Sequence, residues 1–385
     1  MKQFTLTTLT AAMLATPLGA NAALTLSGYV DASYTYLSSG GIFNDVADDI
    51  SGNGNGGGPF VPSRVYDREH NSFNLQSVSL IGDFDSGNNW GGFVQLDFGN
   101  DAAVNESTAT YTFADEFTVQ EAHLRYKSGS WTFSGGKFAT LAGAEVIESY
   151  QNWNFSRSIL FGYAIPFTHT GVRAAFAPSS TLTFYAGVNN GWDQLNESIN
   201  AHRAQDGKTI ELGIVLAPVP TFGLTAAFYT GEESTLAAPG GAGRRDLLDV
   251  TATFGPFGPW TFKANVDVGQ QEDGVIDVIT GLPADGEWMG IAGYANFQIN
   301  PQWRVAGRLE QLDDEDGVRT GVRAGGSGQK WQEGTVTVAF APNANVELRA
   351  EARLDQSDVN DAFINVDGSD DDTQTSLALE GIVRF

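Results

Sequence analysis

Thr373–Phe385 reads TQTSLALEGIVRF. Thr375, Leu377, Leu379, Gly381, Val383 and Phe385 share one face of an extended chain, and Gln374, Ser376, Glu380 and Arg384 fall mostly on the other. A period of two marks a β-strand whose faces meet unlike surroundings. Chain ends usually fray, so a strand that finishes on a large aromatic calls for an anchor there. LTLSGYVDASYTY (Leu24–Tyr36) alternates in the same way, with Leu24, Leu26, Gly28, Val30, Ala32, Tyr34 and Tyr36 set against Tyr29, Asp31, Ser33 and Thr35.

Between these two segments, short Gly, Pro, Asn and Ser stretches of the hairpin kind recur: DSGNN, KSGS, APSST, APVPT, GPFGP, INPQ and APNAN. The large residues flanking them are Phe84 and Trp90, Tyr126 and Trp131, Phe176 and Leu182, Leu216 and Phe222, Phe254 and Trp260, Phe297 and Trp303, Phe340 and Val346. By subtraction the gaps are 6, 5, 6, 6, 6, 6 and 6. One apolar residue closes a strand, a tight turn follows, and another opens the next strand at the same height. Alternation then runs outward from each turn, least regularly around Leu75 and Phe133.

Composition fixes the compartment. Lys2 precedes an apolar stretch that leads to Ala20-Asn21-Ala22, the pattern of a secretory signal peptide over residues 1–22. No later run approaches the ~18 apolar residues of a membrane helix. The chain has no cysteine, and its histidines, His70, His123, His169 and His202, are scattered. No thiolate or HExxH metal site is therefore expected. A net charge of -25 argues against nucleic acid as a partner.

The fold expected for residues 23–385 is all-β, a transmembrane antiparallel up-and-down barrel of about sixteen strands. Short turns lie at the periplasmic end and long extracellular loops, near residues 37–71, 100–116, 139–166, 190–208, 231–245, 270–286, 313–329 and 356–372, at the other. Strands of about 9 to 12 residues exceed the ~5 to 6 typical of soluble sheets. Trp90, Trp131, Trp260, Trp303, Phe340 and Phe385 then form an interfacial girdle, and the last strand stops where the membrane interface does. A propeller needs four short strands per unit, whereas each unit here offers two long ones.

GKFATLAGAEVIESYQNWNFSRSILFGYAIPFTHTGVR (Gly136–Arg173), LTFYAGVNNGWD (Leu182–Asp193) and YDREHNSFNLQSVSL (Tyr66–Leu80) resemble the second family of β-barrel porins. The resemblance covers most of the mature chain and implies an outer-membrane channel, in a family with few assigned substrates. It transfers no binding residues. The C-terminal aromatic also resembles the signal read by the barrel-insertion machinery of Gram-negative bacteria. Lipid and lipopolysaccharide are the implied surroundings, and analogy with general porins implies a homotrimer.

Loop 139–166 carries Leu141, Val146, Ile147, Tyr150, Trp153, Phe155, Ile159, Leu160 and Phe161, too apolar for a loop lying in water. It is expected to fold inward as a constriction. An extra hairpin or an external cap is the other reading. Lumen-facing positions of the late strands hold Arg304, Arg308 and Glu310, then Glu347, Arg349, Glu351 and Arg353. They lie about eight strands away from the loop in a ring of about sixteen. Glu145 and Glu148, with Arg157 on the same loop, would then face this arginine wall across the pore and set up a transverse field. Cross-strand pairing of the arginines with neighbouring acids, as simple interior filling, is equally probable.

The expected function is passive diffusion of small hydrophilic solutes and ions, with no catalytic residue, metal or cofactor. An outer-membrane lipase or protease would need a base beside a nucleophile, and only His123 with Glu121, or His169, offers raw material. A plugged structural or adhesive barrel is the third reading. DDEDG (Asp313–Gly317) and DGSDDD (Asp367–Asp372) read as solvated acidic loops before calcium sites, and Asn105 and Asn196 begin sequons by pattern only.

Overall fold

A computed structural model describes residues 22–40, 63–105, 117–195, 207–234, 242–277, 279–320, 328–365 and 367–385. The expected leader lies outside them except for Ala22, as does the sequon at Asn196.

Sixteen antiparallel strands close into one barrel. They are β1 (Ala23–Leu37), β2 (Ser72–Asp85), β3 (Trp90–Phe98), β4 (Phe117–Ser128), β5 (Trp131–Ala139), β6 (Thr168–Ser179), β7 (Leu182–Asn189) and β8 (Thr209–Val219). The second half comprises β9 (Phe222–Ser234), β10 (Ala242–Phe257), β11 (Trp260–Ile276), β12 (Pro283–Asn300), β13 (Trp303–Asp314), β14 (Gln329–Asn343), β15 (Val346–Ser357) and β16 (Thr373–Arg384). Each strand pairs with its sequence neighbours, and β1 closes the ring on β16 from Tyr29↔Arg384 to Leu37↔Ser376. Strands β4, β13, β15 and β16 are each 12 residues long. At ~3.3 Å per residue and a tilt of ~40° such a strand rises ~30 Å, enough to cross the ~25 Å apolar band of an outer membrane.

Outward positions are apolar and exposed, among them Leu26, Leu124, Val172, Leu309, Leu377 and Leu379. Their inward neighbours are polar and buried, as on β16, where Gln374, Ser376 and Glu380 alternate with those leucines. A closed barrel has no edge to leave backbone groups unpaired in lipid, which is why this closure is obligatory.

Trp90, Trp131, Trp260 and Trp303 stand outward at the tight-turn end. Register adds a detail to the turn pattern. Trp90 lies opposite Tyr126, Trp131 opposite Phe176, Trp260 opposite Phe297 and Trp303 opposite Phe340. These rings meet at 4.6 to 4.7 Å between centroids. Contact therefore runs between adjacent hairpins; within a hairpin Tyr126 instead faces Phe133 and Phe254 faces Phe262. Phe385 exchanges both backbone hydrogen bonds with Gly28 at 3.0 Å.

The two irregular places each have a physical cause. Opposite Asp31 and Ala32 the register slips past Gln76, so Gln76 and Ser77 are both buried. A bulge of this kind breaks the alternation that sequence reading depends on. Near Phe133, Gly136 takes φ +134°, and a Cβ there would lie 2.2 Å from the Ala122 carbonyl oxygen. Only glycine fits.

At the long-loop end a short helix, α1 (Asn100–Val104), follows β3, and Ser39–Gly40, Phe363–Asn365 and Asp370–Asp371 form a small separate sheet.

Candidate functional site

Residues 140–167, between β5 and β6, run into the barrel. Ile147, Ile159, Leu160, Phe161, Ala164 and Ile165 pack with inward residues Tyr229, Leu247, Trp288, Tyr294, Leu312 and Trp331 in one buried cluster. Apolar residues on the inner wall, exceptions to its polar pattern, thus sit where this segment covers them.

The descending limb is held first by β9 and β11. The Tyr229 hydroxyl accepts the Leu141 N–H at 2.9 Å, Asn265 Oδ1 accepts the Ala144 N–H at 2.9 Å, and Lys263 donates to the Ala144 carbonyl at 3.0 Å. Residues 146–152 turn back on themselves through the Asn152 side chain, which bonds both the N–H (3.0 Å) and the carbonyl (2.7 Å) of Val146.

From there the buried backbone must find partners for every N–H and carbonyl, and charged side chains of β13 and β15 supply them. Arginines take the carbonyls. Arg304 donates to Trp153 at 2.6 Å, Arg308 to Ser156 at 2.7 Å, Arg349 to Asn152 at 2.9 Å and Arg353 to Arg157 at 2.6 Å. Glutamates take the amides. Glu351 accepts from Phe155 at 2.7 Å and Ser156 at 3.0 Å, and Glu310 from Ile159 at 2.7 Å and Leu160 at 3.1 Å. Glu145 accepts the Ser158 N–H and an Arg308 N–H, each at 2.7 Å. Arg157 ties the segment internally, donating to Phe155 at 3.0 Å and Ile147 at 2.6 Å, 5.3 Å from the Tyr66 ring centroid.

This geometry corrects the picture of two charged rows facing each other across open water. Arg308, Arg349, Arg353, Glu310, Glu351, Glu145 and Arg157 are all buried. The segment reaches so far that its backbone lies directly on the arginines, which therefore line no aqueous wall. Arg304 keeps partial exposure and also pairs with Glu347 at 2.6 Å. Cross-strand pairing contributes too, with Arg308 to Glu333 at 2.8 Å and Arg349 to Glu380 at 3.0 Å.

The returning limb is pinned by Trp288, whose indole N–H donates to the Ala164 carbonyl at 3.1 Å. Its ring lies over Gly269, where a Cβ would come within 2.0 Å of it. Arg319 donates to the Tyr163 carbonyl at 2.6 Å and stacks over Trp192 and Trp288 at 4.9 and 5.4 Å. Burial first, then the neighbouring Arg245 charge, pulls the Arg319 pKa down to about 9. Gly269→Val is expected to displace Trp288, change tryptophan fluorescence and cost about 1–3 kcal/mol, the usual penalty for overpacking. Unaltered fluorescence and thermal midpoint would remove Trp288 from this role.

Among the described residues no hydrogen bond runs from residues 140–160 to the inner faces of β2 to β7. That stretch of wall carries a second polar set which the sequence reading did not assemble. Arg125 pairs with Asp83, Arg173 with Glu211 at 2.5 Å, and Gln95 donates to Asp97 at 3.2 Å. Glu121 accepts the Ala139 N–H at 3.1 Å. The alternation itself was the available signal, since each occupies an inward position. Glu148 stays half-buried on the loop, and its carboxylate forms no hydrogen bond or ion pair among the described residues. It lies within electrostatic range of Asp97 and Glu121.

Neither histidine forms a catalytic arrangement. His169 is fully buried against Tyr229, 4.8 Å between ring centroids, and His123 stacks on Phe93 at 5.4 Å. Among the described residues no group of three or more acidic or histidine side chains is placed to hold a metal. In the DDEDG loop, Asp313 and Glu315 pair with Lys330 at 3.1 and 2.8 Å.

Residues 23–385 match the family described as Putative beta-barrel porin-2, OmpL-like. The chain belongs to this porin family. It is an outer-membrane channel and not an enzyme. Solved porins share the fold at low identity. The outer membrane channel DcaP of Acinetobacter baumannii is 16% identical with a TM-score of 0.63, over 95% of this chain and 98% of that one. The anion-selective porin from Comamonas acidovorans is 12% identical with a TM-score of 0.59, over 94% and 100%. OmpT of Vibrio cholerae, in its trimer form, is 10% identical with a TM-score of 0.58, over 94% and 99%. No curated protein sequence matches this porin.

Proposed function

We propose that this porin passes small hydrophilic solutes and ions by passive diffusion through a crescent left between segment 140–167 and the inner wall of β2 to β7. One observation carries the reading: the segment's polar anchors fall on β9 and β11 to β15, and Asp83, Glu121, His123, Arg125 and Arg173 on the inner wall of β2 to β6 stay partly exposed. A barrel of this size encloses an aqueous lumen unless it is filled, and the segment fills one side, so it acts as the constriction. Residues 1–22 act as a cleaved leader, and Phe385 contributes to recognition by the insertion machinery in a membrane of lipid and lipopolysaccharide. The trimer form of OmpT supports a homotrimer.

Refolded protein in a planar bilayer is expected to give stable, stepwise conductance. Silence from protein that has folded and inserted would mean that the segment plugs the barrel, and the adhesive reading would replace this one.

A further inference from the structure

The charge that meets water in the crescent differs from the charge the sequence places on the late strands. Four arginines, Arg304, Arg308, Arg349 and Arg353, hold the loop backbone from beneath. Opposite the uncovered wall, the loop presents Glu148. The wall presents Glu121, with Asp97 buried beside it, and both lie within electrostatic range of Glu148.

Cations are present on this wall, and each is engaged. Arg125 pairs with Asp83, and Arg173 is gripped by both oxygens of Glu211 at 2.5 and 2.7 Å. Lys137 donates to the Val119 carbonyl at 2.8 Å. His123 lies 3.9 Å from Glu121, partly buried between Phe93 and Phe138. Asp83 and Glu211 cancel the two arginines. Glu121 and Glu148, with Asp97 buried nearby, then outnumber Lys137, which leaves an acidic excess across the crescent.

We infer that Glu148 and Glu121 form a cation-selecting constriction, whose preferred permeants are inorganic cations and small organic ammonium solutes. The inference rests on the diffusion-channel reading above. Carboxylates not neutralised by a cation, held in a narrow passage, raise the local cation concentration and lower that of anions. Distance decides which charges matter. In 1 M salt the screening length is about 3 Å, so exposed acids on the outer loops are screened while a charge inside the passage still acts on an ion squeezed past it.

The test is the reversal potential of single inserted channels under KCl gradients, repeated with tetramethylammonium chloride. In dilute salt of about 0.01 M, where the screening length is about 30 Å, a unit charge about 10 Å away in water changes a monovalent ion's local concentration by up to about twofold, in opposite senses for cation and anion. Glu148→Gln is therefore expected to cut the cation-to-chloride permeability ratio in dilute salt by up to about fourfold, and Glu148→Lys to lower it further toward chloride. Glu121→Gln should act in the same direction. Glu315→Gln, on an exposed outer loop, should leave the ratio in concentrated salt unchanged.

Anion preference in the wild type overturns the inference. So does an unchanged ratio in both Glu148 variants, or an equal shift from Glu315→Gln. Channels that open with the wrong selectivity leave the diffusion reading standing, whereas inserted protein that never opens removes both.

Discussion

Arg308→Ala is expected to release segment 140–167 from the wall. Arg308 bonds Glu333 at 2.8 Å, Glu145 at 2.7 Å, the Ser156 carbonyl at 2.7 Å and the Ser156 hydroxyl at 3.1 Å. Glu310 stands 3.6 Å from it. Its side chain and those of Glu310 and Glu333 are fully removed from solvent, and that of Glu145 nearly so. Removing the guanidinium leaves three buried carboxylates around an empty site. Breaking one buried pair in this way costs about 3–5 kcal/mol, because the remaining charge has lost its compensation.

The least costly relaxation hydrates those carboxylates by letting the loop rise. The expected readouts are a larger single-channel conductance, new protease cleavage between residues 146 and 158, and a lower melting temperature on heat-modifiability gels. Arg308→Lys should fall between, since an ammonium cannot span Glu145 and Glu333 as a planar fork does. Arg304→Ala should do less, because its side chain is partly exposed and reaches one loop carbonyl and Glu347. Wild-type conductance and cleavage in Arg308→Ala would show that the apolar cluster alone holds the loop. A selectivity change on replacing Arg304 and Arg308 is then a consequence of loop movement, not of charge lost from the pore surface.

The wall of this barrel was legible because its determinants are local. Alternation is set by the two-residue strand period, and the turns are set by residues such as Gly129 and Gly258, which take φ +57° and +60°. Where a bulge intervenes, at Gln76, the same local rule fails. The loop's apolarity was equally plain. Its destination was not, because the groups that receive it are 150 to 200 residues away, as with Glu310 and Leu160 or Arg349 and Ser149. Nothing in an Arg or Glu at an inward position tells whether it will meet water, a neighbouring strand or a loop backbone. Glu148 and Glu145 have the same chemistry three positions apart, yet one is buried on Arg308 and the other is left facing the lumen. A turn at 146–152, stabilised by Asn152, separates their fates.

Gly28→Val is expected to block closure of the barrel. Gly28 lies on the outward face of β1, between the two strands that β1 must join. A Cβ there would stand 2.2 Å from the Ser79 carbonyl oxygen on β2 and 2.8 Å from the ring of Phe385. The first contact is with backbone and cannot be relieved by a rotamer change. The second can, since the Phe385 ring simply lies across the glycine. Both seams meet at this residue, so a displaced β1 loses register toward β2, or toward β16 where Gly28 and Phe385 exchange hydrogen bonds. Overpacking that forces backbone shifts costs about 1–3 kcal/mol and sometimes more, and here the shift falls on the strand that closes the ring. Refolding yield into the heat-modifiable form should drop severalfold for Gly28→Val and less for Gly28→Ala. Adding Phe385→Ala separates the two causes. If the ring were the obstacle, the double variant would recover; with the Ser79 carbonyl still in the way, it should fold no better than Gly28→Val alone.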